Sequence, residues 1–142
     1  MRVEGRVLGL IAKKLDEDAP QPEKQLPAAQ RDERDALVSR SLLDRTVGRQ
    51  APEIARPTGE WANGDQLLAE FRKARQRTTE FATTTQGDLR SYFHPHASFG
   101  ELDCYQWLLV LSLHGARHAE QMEEVKAAPA FPPATYRPPA QT

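Results

Sequence analysis

A single cysteine, Cys104, rules out an internal disulfide and agrees with a reducing compartment. No stretch approaches the roughly 18 apolar residues that a membrane helix needs. The N-terminus also lacks the basic region, long apolar stretch and cleavage site of a secretory leader, so a cytoplasmic location is expected. Charge of one sign is missing as well: the net charge of −1 gives no global attraction to nucleic acid. The basic run Arg72-Lys-Ala-Arg-Gln-Arg77 reads as the solvated side of an amphipathic helix, not a phosphate patch. Alternating apolar runs bounded by turns are absent, as is any repeat of 20–50 residues, which excludes a β-protein and a solenoid. No Gly-x-Ser-x-Gly turn and no glycine-rich phosphate loop is present, and this removes those routes to catalysis.

What remains is a helical pattern in a chain of 142 residues, suited to one domain. Val3, Val7, Leu10 and Ile11 lie on one face of a first helix, from Arg2 to about Leu15, that begins abruptly and without a capping residue. Residues 16–30 hold Pro20, Pro22 and Pro27 and read as a linker inside the domain. A second helix is predicted from about Arg31 to Val47, with Leu37, Val38, Leu42 and Leu43 apolar and Gly48 to stop it. The prolines of residues 49–64 make a loop that Trp61 should anchor to the core. Asn63 with Gln66 resembles a capping box, and Leu67, Phe71, Ala74, Thr78 and Phe81 form a buried stripe up to about Thr84. Asp103 with Gln106 opens the last helix, which should end near Lys126. The domain is expected to span 1–128, followed by a flexible proline-rich tail over 129–142.

On that last helix stands His114-Gly115-Ala116-Arg117-His118. Residues four apart share a helix face, about 5–6 Å apart at Cβ, so both ring nitrogens reach one divalent metal. The inward stripe of Cys104, Trp107, Leu108, Leu111, His114, Gly115, His118, Met122 and Val125 places both histidines on the core side, where they must be hydrogen-bonded, ligating or lining a cavity. A catalytic metal needs a third protein ligand. His94 and His96 lie in the preceding loop, about 15 Å away along the helix axis at 1.5 Å per residue, and read as surface residues. Glu4, Asp88, Glu101 and Glu120 are candidate carboxylates that no spacing singles out. Gly115 stands where a metalloprotease needs its glutamate, which excludes that chemistry. Cys104 falls on the apolar stripe and reads as a buried structural thiol.

Phe99-Gly-Glu-Leu-Asp-Cys-Tyr-Gln-Trp-Leu-Leu109, followed by His114-Gly-Ala-Arg-His-Ala-Glu-Gln121, resembles the last helix of the DinB-like superfamily. Pro57-Thr-Gly-Glu-Trp61 and the helix from Leu67 to Phe81 look like the same family, so the similarity runs from Met1 to about Pro132. The resemblance implies an all-α, up-and-down four-helix bundle with a divalent metal, zinc, nickel or manganese, held by three histidines. His114 and His118 match two of them. The family's other histidine would fall just before Met1, so the resemblance implies a bundle truncated at its first helix, an incomplete site and weak metal binding. It further implies activity of the thiol S-transferase or hydrolase type on a small-molecule thiol or electrophile, with Arg117, expected to point outward, and Gln121 beside the site. A groove left by a missing helix would favour a homodimer. The alternative is a metal-free helical scaffold or interaction module in which both histidines are satisfied core residues.

Overall fold

The computed structural model describes residues 2–46, 53, 56 and 63–131. The expected anchor Trp61, the stop at Gly48 and most of the proline-rich tail lie outside these residues. Four α-helices are present among them: α1 (Arg2–Glu17), α2 (Ala28–Leu43), α3 (Gly64–Thr84) and α4 (Cys104–Ala127). None is long and apolar enough to cross a membrane.

The helix ends follow local chemistry. Asn63 caps α3 by accepting from the Gln66 backbone N–H, and Asp103 with Gln106 closes a reciprocal capping box at the start of α4. The predicted linker is shorter than 16–30. Helix α1 continues to Glu17, Pro22–Lys24 form a 3₁₀ turn, and α2 starts at Ala28, directly after Pro27. Helix α2 ends at Leu43, before the predicted Val47.

Helix α4 is the hub, packing on α1 along one side and on α2 along another, while α3 lies against α1. Toward α1, Cys104 and Leu111 join Val7 and Ile11 in one buried cluster, with Leu8, Leu15, Phe81 and Leu108 packed around it. Toward α2, Val110 joins Val38, Leu42 and Leu102 in a second. Trp107 packs against both clusters, and its indole N–H donates to the His94 carbonyl at 3.1 Å. A fully buried aliphatic side chain such as Ile11 or Val38 contributes about 1.5–3 kcal/mol.

The sequence pattern predicts no strand, and here the structure differs. β1 (Phe93–His96) pairs antiparallel with β2 (Gly100–Asp103), Phe93 opposite Asp103 and His96 opposite Gly100. Gly100 has φ of +69°, a conformation that side-chain-bearing residues rarely adopt. The hairpin leads straight into α4, and the Cys104 N–H donates to the Tyr92 carbonyl at 2.9 Å.

Two expected stripes hold over only half their length. In α3, Thr78 is buried but Leu67 and Phe71 are 43% and 45% exposed. In α4, Leu111 is buried but Met122 and Val125 are 60% and 57% exposed. Arg75 of α3 meets Gly115 of α4, and Phe81 packs on the Cys104–Leu111 cluster. The two helices therefore run in opposite directions, which puts their uncovered halves at the same end.

Candidate functional site

The two histidines sit on α4 where its partners run out. Both are exposed, contrary to the inward placement that the stripe predicts. The physical reason is that α4 is held from two sides. Its α2-facing line runs through Val110 and arrives, two turns later, at Arg117. Arg117 is buried, not outward: its guanidinium donates to the carbonyl oxygens of Leu42, at 3.1 Å, and of Asp44. These carbonyls close the C-terminal end of α2, where backbone acceptors have no helical partner and a cation is favourable.

The pair itself is compact. Nε2 of His114 and Nε2 of His118 are 3.0 Å apart, with the rings nearly perpendicular at 87° and centroids separated by 4.3 Å. Nδ1 of His118 meets Oε1 of Gln121 at 2.5 Å. Partial burial and the neighbouring His118 hold the His114 imidazole below its ordinary value of 6.5. Two neutral imidazoles whose Nε2 atoms converge can act as a bidentate chelate, with the second nitrogen of one ring oriented by an amide oxygen.

No third ligand joins them: among the described residues no group of three His, Cys, Asp or Glu is placed to hold a metal. The described residues thus fall short of the three-ligand set that the resemblance implies. Each sequence-level candidate is occupied elsewhere. His94 and His96 stand on β1 and pack against Trp107, with ring centroids 5.9 and 4.9 Å from it. Glu101 pairs with Lys24 at 3.0 Å. Asp88 accepts from the Ser91 hydroxyl at 2.6 Å and from the Gln25 amide at 2.9 Å. Glu120 is exposed, and its charge acts on Arg45. Cys104 is buried, and burial pushes its thiol up to about 11, so it is not a nucleophile at neutral pH.

Glu4 is the exception in position. It is buried at 7% exposure, accepts from the Thr78 hydroxyl, and pairs with Nε of Arg75 at 3.3 Å. Within the basic run of residues 72–77, Arg72, Lys73 and Arg77 are solvated as expected, and Arg75 alone of the four turns inward.

A second polar cluster stands at the other end of α4, and spacing gave no hint of it. Arg90 bridges Asp35 and Asp103, with Nη1 at 3.1 and 2.9 Å from one oxygen of each, while the Gln106 amide donates to Asp35 at 2.9 Å. The guanidinium carbon is 3.8 Å from the Tyr105 ring centroid. Arg90 and the Gln106 amide hold the Asp35 carboxyl below its ordinary value against the opposing effect of burial, whereas burial raises that of Asp103. The cluster ties α2, the 3₁₀ turn Leu89–Ser91 and the α4 cap together. Its parts lie 55 and 71 residues from Asp35, which is why no local pattern shows it.

The family model described as the DinB superfamily matches residues 35–122, which include the second half of α2, all of α3, the hairpin and both histidines. An uncharacterised protein, YuaE of Bacillus subtilis strain 168, is 30% identical over 83 residues, covering 58% of this chain and 51% of its own length. The chain thus spans about half the length of that curated relative. No solved structure matches it. With more than half of the chain inside the family match and the histidine pair on its last helix, the chain belongs to the DinB superfamily.

Proposed function

We propose that His114 and His118 are the helical half of a site for a divalent metal (zinc, nickel or manganese), completed by a donor outside the described residues. On this reading the chain belongs with metal-dependent transferases or hydrolases that act on a small-molecule thiol or electrophile. The supporting observation is the convergence of the two Nε2 atoms, 3.0 Å apart on an exposed face of α4. Bound there, a divalent ion would supply Lewis-acid chemistry. The chain's own residues contribute the two imidazoles and the Gln121 amide oxygen, which fixes which nitrogen of His118 is available. The same reading places the protein in a reducing cytoplasm, in keeping with its single cysteine, and as a homodimer, which would cover Leu67, Phe71, Met122 and Val125.

A metal-free scaffold is the second reading. It is favoured by the absence of a third ligand among the described residues and by the hydrogen bonds that already satisfy His118.

Calorimetric titration of the full chain with Zn²⁺, Ni²⁺ and Mn²⁺ separates the two. The metal-site reading expects weak, stoichiometric binding, because the described residues supply only the two imidazoles, and expects His118→Ala to remove it. No binding, or binding that survives His118→Ala, overturns that reading and leaves the scaffold.

A further inference from the structure

Lys24, Leu26, Arg31, Arg34 and Phe93 line a cavity of about 270 Å³ between the Pro22–Lys24 turn, the start of α2 and the hairpin, and its buried side is formed by Asp103 and Gln106. The walls are fixed from three directions. The Gln25 amide donates to Asp88 at 2.9 Å and to the Ser91 hydroxyl at 2.6 Å, Lys24 pairs with Glu101 of β2 at 3.0 Å, and Arg34 donates to the Phe99 carbonyl. Gln106 precedes His114 by more than two turns of α4, about 12 Å at 1.5 Å per residue, so this cavity is separate from the histidine site.

The charges around the cavity do not cancel. Lys24, Arg31 and Arg34 stand against Glu101 and Asp103, three cations against two carboxylates, which leaves one positive charge. Both carboxylates are already held, Glu101 by Lys24 and Asp103 by Arg90 at 2.9 Å. Among the described residues neither Arg31 nor Arg34 forms an ion pair: Arg34 bonds to a neutral carbonyl, and Arg31 acts on Asp35 and Asp88 only through its charge. Three residues apart, the two half-buried guanidiniums share one face of α2 and repel each other. An anion between them removes that repulsion, and the guanidinium fork matches a carboxylate. We propose that this cavity binds a small organic monocarboxylate, with its carboxylate held by Arg31 and Arg34 and its apolar body against Leu26 and Phe93. The single uncompensated charge suits a monoanion, and an apolar wall beside a few polar groups suits an organic body. A cavity of about 150 Å³ accepts a benzene ring, so this one has room for a ring and a carboxylate. The inference stands apart from any reading of the histidines.

The test is an amide NMR titration of the full chain with phenylacetate, with phenylethanol as its uncharged counterpart and inorganic phosphate as an anion without an apolar body. Phenylacetate should shift the backbone amides of Leu26, Arg31, Arg34 and Phe93 saturably, and should bind about tenfold or more tighter than either control. Arg31→Gln should weaken phenylacetate about tenfold, with an unchanged melting profile, because the Arg31 side chain makes no hydrogen bond or ion pair among the described residues. Arg31→Lys, which keeps the charge but not the fork, should lose less, and it becomes the deciding variant if Arg31→Gln does not fold. The inference is overturned if no saturable shift appears around the cavity, if phenylethanol binds as tightly as phenylacetate, or if the folded Arg31 variant loses nothing. Phosphate binding as tight as that of phenylacetate also overturns it, since the cavity would then recognise charge alone.

Discussion

Arg90 and Asp35 face each other in a two-point ion pair, Nη1 to Oδ1 at 3.1 Å and Nη2 to Oδ2 at 2.6 Å, with side chains only 20% and 18% exposed. The same guanidinium neutralises Asp103, the residue that caps α4. Removing Arg90 therefore strands two carboxylates at once. Breaking a buried pair from one side costs about 3–5 kcal/mol, and the residual exposure places Arg90→Ala near the lower figure. Asp35→Asn keeps an acceptor for Gln106 and should cost less than half as much. Urea unfolding with an unchanged m-value checks both. Equal losses in the two variants would show that Asp103 does not depend on Arg90.

The two aspartates pull the acid limb of stability in opposite directions. Asp35 titrates below its ordinary value of 3.8 when folded. Its contribution is complete above that value and is lost as pH falls through the lower, folded one. Asp103 titrates above 3.8 when folded. The folded state takes up that proton first, so stability from this group rises as pH falls toward 3.8 from above. Asp103→Asn retains a capping side chain but removes the compensating gain. Its stability should fall more steeply with acid than that of the parent chain in the window just above pH 3.8. Asp35→Asn should flatten the limb below it. Thermal melts across the acid range, read by circular dichroism, give both slopes.

Much of the architecture could be read from local sequence chemistry, and what could not shares one cause. Asn63 and Asp103 announced the starts of α3 and α4 because a cap is decided within four residues. Val7 and Ile11 marked the buried face of α1 because that helix packs on one side. The hairpin escaped notice since each strand is four residues long and β1 contains Pro95. A single stripe was also the wrong template for α4, which is held by both α1 and α2. Arg117 consequently turned out buried and the histidines exposed. The His-x-x-x-His spacing gave the pair's proximity correctly. The Glu4–Arg75–Gly115 contact lay beyond reach, because it joins three helices.

Arg117 holds the end of α2 by donating to the Leu42 and Asp44 carbonyls from a buried position. Hydrogen bonds from a charged donor contribute about 1.5–3 kcal/mol. Arg117→Met keeps the volume but orphans those acceptors, so a loss of about 2 kcal/mol is expected. Arg117→Lys should recover only part of it, since both bonds come from the terminal nitrogen Nη1, which the shorter lysine side chain does not reach. Full recovery by lysine would show that charge at the α2 terminus, and not geometry, is what matters.

The histidines report on each other. Partial burial and the charge of His118 keep the His114 imidazole below 6.5. In His118→Ala the second influence vanishes while burial stays, so His114 should titrate higher than in the parent chain yet still below 6.5. Proton NMR of the imidazole signals across pH 5–8 measures this directly. An unmoved His114 would mean that the two rings do not share the close contact found between their Nε2 atoms.

Leu67 and Phe71 on α3 and Met122 and Val125 on α4 expose apolar surface at one end of the bundle. Singly exposed apolar residues are ordinary, but a contiguous patch promotes association. Because Phe71 is 45% exposed, Phe71→Lys removes little packing, and its cost should stay within about 0.5 kcal/mol, the range of surface substitutions. Helix α3 gains a residue of better helical propensity at the same time. If the patch drives self-association, the lysine variant should sediment as a smaller species than the parent chain at equal concentration, with an unchanged melting profile. A large loss of stability would instead place Phe71 in the core of the chain.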